Sequence, residues 1–150
     1  MYATIKQVYE LTEEILAAAE ANDWHIELHC EGPRLSALLK QLGDRCSKIV
    51  VDHFGLPDPN APLECDGLRA MTRMAKGQVF VKLSAPYRVF RHVPSEAAMH
   101  LCLPVFDSLL EYLGPEQLLW GSDWPWTQFE DRHTYADTVS WLERMSQRAD

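Results

Sequence analysis

Four short apolar runs, each closed by turn-forming residues and separated from the next by a helical pattern, constrain this chain more tightly than any other feature. They occupy residues 24–30, 48–53, 79–84 and 118–121. The second, Lys48-Ile49-Val50-Val51-Asp52-His53, is β-branched and continuous, the pattern of a strand buried on both faces. The last opens the stretch LLWGSDWPW at 118–126, read as a buried parallel strand that Gly121 and Pro125 bring to an end. Strands alternating with helices at this spacing predict a parallel sheet with right-handed crossovers, an α/β fold.

The helical patterns complete the order. Residues 4–22 put Ile5, Val8, Leu11, Ile15 and Ala19 on one face behind Thr4 as N-cap, which predicts a helix over the whole segment. Pro33 suits a first turn, and Leu35, Leu38, Leu39 and Leu42 continue that helix until Gly43 stops it. Further helices are predicted at 68–75 and 135–146. Pro104 must begin or kink a helix, so the main one there is placed at 104–113, with Ser95 capping a shorter piece before it. The reading is one helix followed by four strand–helix units, a single domain over 1–150.

Composition narrows the function classes. The 150 residues carry 14 basic and 22 acidic side chains, a net charge of −8. That balance argues against a nucleic-acid or anionic-membrane surface. There is no apolar stretch of membrane-spanning length and no secretory pattern at the start. The cysteines at 30, 46, 65 and 102 show no metal-knuckle spacing and read as reduced thiols, so a cytoplasmic protein is expected.

Chemistry in parallel α/β folds sits at the carboxyl ends of the strands. Those ends hold His29, His53, Ser84 and Asp123. Two histidines and an aspartate converging on one pocket suit either zinc ligation or metal-free acid–base work, in which aspartate draws a proton from water. The loop after the third strand adds Tyr87, Arg88 and Arg91 over the same mouth, and its arginines can fork onto a substrate carboxylate. Asp52, inside its strand run, reads as a structural residue that orients a neighbour. Trp120 reads as core and Cys30 as a buried thiol.

VVDHFG at 50–55, VKLSAPYR at 81–88 and LLWGSDWPW at 118–126 together resemble the amidohydrolase-related (amidohydrolase 2) family, nearest to its 2-pyrone-4,6-dicarboxylate lactonase branch. The resemblance implies the second half of a (β/α)8 TIM barrel, strands five to eight, preceded by the helix that follows strand four. It implies that Asp123 activates the attacking water and His53 polarises the scissile carbonyl. Arg88, or failing that Arg91, would hold a substrate carboxylate, with Ser84 and Tyr87 as further substrate-binding residues. His29 stands where metal-dependent relatives place a ligand and the lactonase a tyrosine, so the implied cofactor is either none or zinc held by His29, His53 and Asp123. Trp126 stands where the lactonase has a polar residue. The family's His-x-His pair has no counterpart, because His25 and His29 are spaced four apart.

Four strands cannot close a barrel, and a complete barrel takes about 250 residues. Three outcomes are open: two copies pairing into one barrel, an open flavodoxin-like sheet, or a piece of a longer gene product. The expected function is hydrolysis of a carboxylated lactone by aspartate-activated water, inactive if an amino-terminal half is needed and absent. The alternatives are a zinc-dependent decarboxylase of the same family and a non-catalytic truncated domain. The expected partners are a small carboxylate substrate and a second copy completing the barrel, with no nucleic acid or membrane.

Overall fold

The computed structural model describes residues 4–6, 13–74 and 76–149. Five strands form one parallel sheet: β1 (Thr4–Lys6), β2 (Ile26–His29), β3 (Ile49–Val51), β4 (Val79–Leu83) and β5 (Leu118–Trp120). Their order in the sheet is their order in the chain, with Ile26 opposite Ile49, Ile49 opposite Val79 and Val81 opposite Leu118. A flavodoxin-like sheet reverses its strand order at a switch point. This sheet never reverses, so it is a barrel segment, α/β and about half of a (β/α)8 barrel.

Among the described residues six helices accompany the strands: α1 (Glu13–Ala21), α2 (Gly32–Leu42), α3 (Asp66–Met71), α4 (Pro86–Val89), α5 (Ser95–Leu113) and α6 (Tyr135–Ala149). Two expectations need correction. Among the described residues of the segment 4–22, predicted as one helix, Glu13–Ala21 are helical as α1, whereas Thr4–Lys6 form β1, paired in parallel with β2 through Thr4–Glu27 and Lys6–His29. An open ladder on β2 and the β-branched Thr4 and Ile5 outweigh the helical periodicity there. Val8 and Leu11 lie outside the described residues. Second, α5 is one continuous helix with Pro104 in its interior. Its buried stripe of Ala98, Met99, Cys102, Val105, Phe106 and Leu109 runs across the proline without a break in period. Pro104 lies on the exposed side, and the backbone carbonyl it strips of a partner belongs to the exposed His100.

The sheet has two unlike faces. Ile26, Leu28, Ile49, Val51, Val79, Val81 and Leu83 join the core with Leu35, Leu39 and Leu42 of α2 and Met99, Val105 and Leu109 of α5. The opposite face presents Glu27, Val50, Phe80, Lys82 and Leu119, by alternation and register. β5 is the less covered edge. Leu119 and Trp120 are each 37% exposed, contrary to the buried strand and core tryptophan expected there. Among the described residues no strand pairs beyond β5, and Trp120 instead meets α6, donating from Nε1 to the Thr138 carbonyl at 3.3 Å.

Glycine permits one close approach. A Cβ on Gly67, at the start of α3, would collide with the backbone of Gly32 at the start of α2. No helix among the described residues is long and apolar enough to cross a membrane.

Candidate active site

Three strand ends turn sharply into their loops. His53, Phe54 and Leu56 after β3, Ala85 after β4 and Asp123 after β5 all have positive φ, an unfavourable conformation for residues with side chains. Such strain persists only where surrounding structure holds it, and it gathers at functional sites. Gly55 completes the turn after β3 at φ +78, and a Cβ there would press on Met71. The turn aims the His53 ring across the end of the sheet.

His53 is 4% exposed. Its Nδ1 lies 2.8 Å from Ser84 Oγ, and its Nε2 faces Asp123 Oδ1 at 3.6 Å. Burial lowers the imidazole pKa to about 4, against the opposing pull of Asp123 and Asp52. The ring is therefore neutral near pH 7, and its approach to Asp123 is a polar contact, not an ion pair.

Asp123 has two differently used oxygens. Oδ2 accepts from the Tyr87 hydroxyl at 2.5 Å and from Arg88 Nε at 2.6 Å. Oδ1 is the oxygen turned toward His53. Arg88 in turn donates from Nη2 to the Thr127 carbonyl at 3.1 Å, and its guanidinium carbon lies 5.3 Å from the Phe129 ring centroid. Burial, and then the Asp123 carboxylate, push the Tyr87 phenol well above its ordinary value, so it stays a donor.

A second cluster lies beside the first. His29 Nδ1 is 3.5 Å from Asp52 Oδ2, while Lys82 Nζ sits 3.1 Å from Asp52 Oδ1 and 2.7 Å from Glu27 Oε1. The His29 and His53 rings meet edge to face with centroids 4.9 Å apart. Ligand atoms from His29, Asp52 and His53 all lie within 4.8 Å of one another. Burial pushes the Asp52 carboxyl up, but His29, His53 and Lys82 together outweigh it and hold the group below its ordinary value. Two imidazoles and a carboxylate match the protein ligand count of a catalytic zinc site. The cluster is compatible with a divalent metal.

The residues singled out in the sequence are thus brought to one end of the sheet, though not in the groupings expected. His53, Ser84, Tyr87, Arg88 and Asp123 form one connected set. Ser84 and Tyr87 are each 2% exposed and turn toward His53 and Asp123. Arg88 directs Nε and Nη2 to protein acceptors. Arg91 is exposed, donates from Nε to the Arg88 carbonyl, and lines a cleft of about 560 Å³ together with Arg88, Phe90 and His92. In the potential ligand cluster Asp52 takes the place expected for Asp123. Lys82 and Glu27 were not anticipated. A lysine set between Val81 and Leu83 in a buried strand is the signal that points to them, because buried charges need partners.

Comparison with known proteins places the fold. The amidohydrolase family profile matches residues 5–148. A 4-sulfomuconolactone hydrolase from Rhizobium radiobacter is 27% identical over 124 residues, 81% of this chain and 40% of that protein. The crystal structure of a putative 2-pyrone-4,6-dicarboxylic acid hydrolase from Pseudomonas putida superposes with a TM-score of 0.79 at 32% identity, over 88% of this chain and 48% of that one. A probable 2-pyrone-4,6-dicarboxylic acid hydrolase from Acinetobacter baumannii, with citric acid bound, gives 0.78 at 29% identity, over 89% and 49%. The chain spans about half the length of these solved relatives and less of the lactone hydrolase. With its sheet order, its strand-end residues and this match along almost its whole length, the chain belongs to the amidohydrolase family.

Proposed function

We propose that this chain carries the water-activating half of a lactonase-like hydrolase that opens a cyclic ester bearing anionic groups. The observation that carries the reading is the Asp123 carboxylate, with one oxygen held by Tyr87 and Arg88 and the other left facing His53. Asp123 takes a proton from water, and the resulting hydroxide forms a bond to the lactone carbonyl carbon. The neutral His53 ring donates from Nε2 to the carbonyl oxygen as charge builds there, with Nδ1 accepting from Ser84. Collapse of the tetrahedral intermediate breaks the ring C–O bond, and the leaving oxygen takes the proton from Asp123. Tyr87 and Arg88 act as positioning residues.

The relatives named for lactone and pyrone hydrolysis support the substrate class. In the relatives that it matches, the barrel is about twice as long. The active form is therefore proposed to need a complementary half, from an amino-terminal extension or a second copy. A second reading, metal-assisted hydrolysis or decarboxylation, is favoured by the His29–Asp52–His53 cluster. A divalent ion there would supply Lewis acidity and a more acidic bound water.

The test compares the wild-type chain with Asp123→Asn on 2-pyrone-4,6-dicarboxylate, with and without zinc. Loss of about 10²- to 10⁴-fold in kcat supports the base role. Equal turnover by the variant removes Asp123 from the mechanism. A folded wild-type chain that neither binds nor opens the lactone, even with the amino-terminal half of a relative supplied, favours the non-catalytic alternative.

A further inference from the structure

A second cleft lies behind the Tyr87–Asp123 contact, between the loops that follow β4 and β5 and the start of α5. It has a volume of about 660 Å³, and its walls include Arg91, His92, Phe129, Arg132 and His133. That volume suits a small organic molecule better than a bare inorganic ion.

Its charge stands out in a chain of net charge −8. Arg45, Arg88, Arg144 and Arg148 each meet a carboxylate within 3 Å, at Glu13, Asp123, Glu96 and Asp107. Among the described residues neither Arg91 nor Arg132 has such a partner. Arg91 uses only Nε, on a backbone carbonyl, and Arg132 lies 5.8 Å from the Phe129 ring centroid. The acids closest in sequence to the start of α5 and α6 are otherwise engaged, Glu96 with Arg144 and Asp137 with Thr134. Glu130 and Asp131 do not line the cleft.

The floor is polar too. Ser95, the first residue of α5, contacts His133 Nδ1 through its hydroxyl at 2.7 Å, and this leaves the His133 Nε2 buried without a hydrogen-bond partner. The first backbone N–H groups of a long helix add partial positive charge at the same end. Tyr87 forms the wall shared with the catalytic carboxylate, stacked on His133 with ring centroids 3.9 Å apart.

We propose that this cleft is a second binding site, separate from the lactone site, for an organic acid whose carboxylates fork onto Arg91 and Arg132 and whose apolar body lies along Phe129. The assignment rests on two guanidinium groups without carboxylate partners, set in one concavity with an aromatic wall. It is independent of the proposed hydrolysis, since nothing in it requires turnover.

The probe is isophthalate, titrated calorimetrically into the 150-residue chain at near-physiological salt. Saturable binding is expected, weakened about tenfold or more by Arg132→Ala and by Arg91→Ala. Arg73→Ala, on an exposed arginine remote from the cleft, should leave it unchanged. Both Arg132 and Arg91 are exposed, so their truncation leaves the core intact. Absence of saturable binding overturns the proposal, as does an equal loss in Arg73→Ala, which would mean diffuse charge attraction. A loss confined to Arg88→Gln places the acid in the catalytic site and also overturns it. Inorganic phosphate that binds through Arg132 while isophthalate does not would overturn the organic-acid assignment.

Discussion

Arg88 of α4 and Asp123 follow adjacent strands and meet through a single Nε–Oδ2 contact of 2.6 Å, with the side chains 14% and 15% exposed. The arginine thereby fixes which carboxylate oxygen is free. Replacing Arg88 by Gln keeps a donor of shorter reach but removes the charge. The expected outcome is a fall in kcat/KM of about 10- to 1,000-fold with a stability loss of about 1–3 kcal/mol. Steady-state kinetics on 2-pyrone-4,6-dicarboxylate and urea denaturation check the two parts. Unchanged kinetics would mean that Asp123 needs no orientation.

Tyr87 holds the same oxygen, but its ring also stacks on His133 and packs 4.9 Å from Phe129. Tyr87→Phe keeps that packing and deletes only the donor. A loss of about tenfold in kcat is expected, with the thermal midpoint changed by a few degrees at most. A large drop in stability with normal kcat would assign the hydroxyl a purely structural role.

The buried His53 makes stability depend on pH. Its folded pKa of about 4 lies below the unfolded value of 6.5. Between those limits the unfolded chain binds a proton that the folded chain refuses. Stability therefore falls as pH drops from about 6.5 towards about 4 and levels off below, by about 3 kcal/mol for this group. His53→Gln should flatten that slope. Urea midpoints at pH 7 and pH 4.5 measure it, and an identical slope in the variant would contradict the assignment.

If His29, Asp52 and His53 hold a divalent ion, added zinc stabilises the folded chain by mass action, about 2.7 kcal/mol at a hundred times the dissociation constant. The rise in thermal midpoint should vanish in Asp52→Asn and persist in Asp123→Asn. The reverse pattern would restore Asp123 to the ligand set.

At the crossing of α2 and α3, Gly67→Ala forces a methyl group into the Gly32 backbone. A destabilisation of about 1–3 kcal/mol is expected in a chemical melt. A neutral result would show that the two helices can separate without cost.

The strand ends were legible because their signals are local. An apolar run closed by Gly or Pro places His53 and Asp123 without any knowledge of the other strands. Partnerships were less legible. Asp52 looked structural because its lysine arrives from the next strand, and no periodicity within one strand reveals the Lys82–Asp52–Glu27 chain. Arg88 was expected to face the substrate, since sequence cannot show that Asp123 lies within reach of its Nε. The Pro104 break failed because propensity is a local cost, whereas the buried face of α5 is a continuous gain on both sides of the proline. β1 was hidden by the helix-forming Glu and Ala residues that follow it; its only evidence is a free ladder on β2.

The strand order has a consequence for how the chain comes to exist. Among the described residues each strand pairs only with the strands made immediately before and after it. Within this part of the sheet a nascent chain can therefore add one finished strand–helix unit at a time. The same rule governs change over generations. Copying one unit onto an edge repeats an operation that the fold already performs at every interior position.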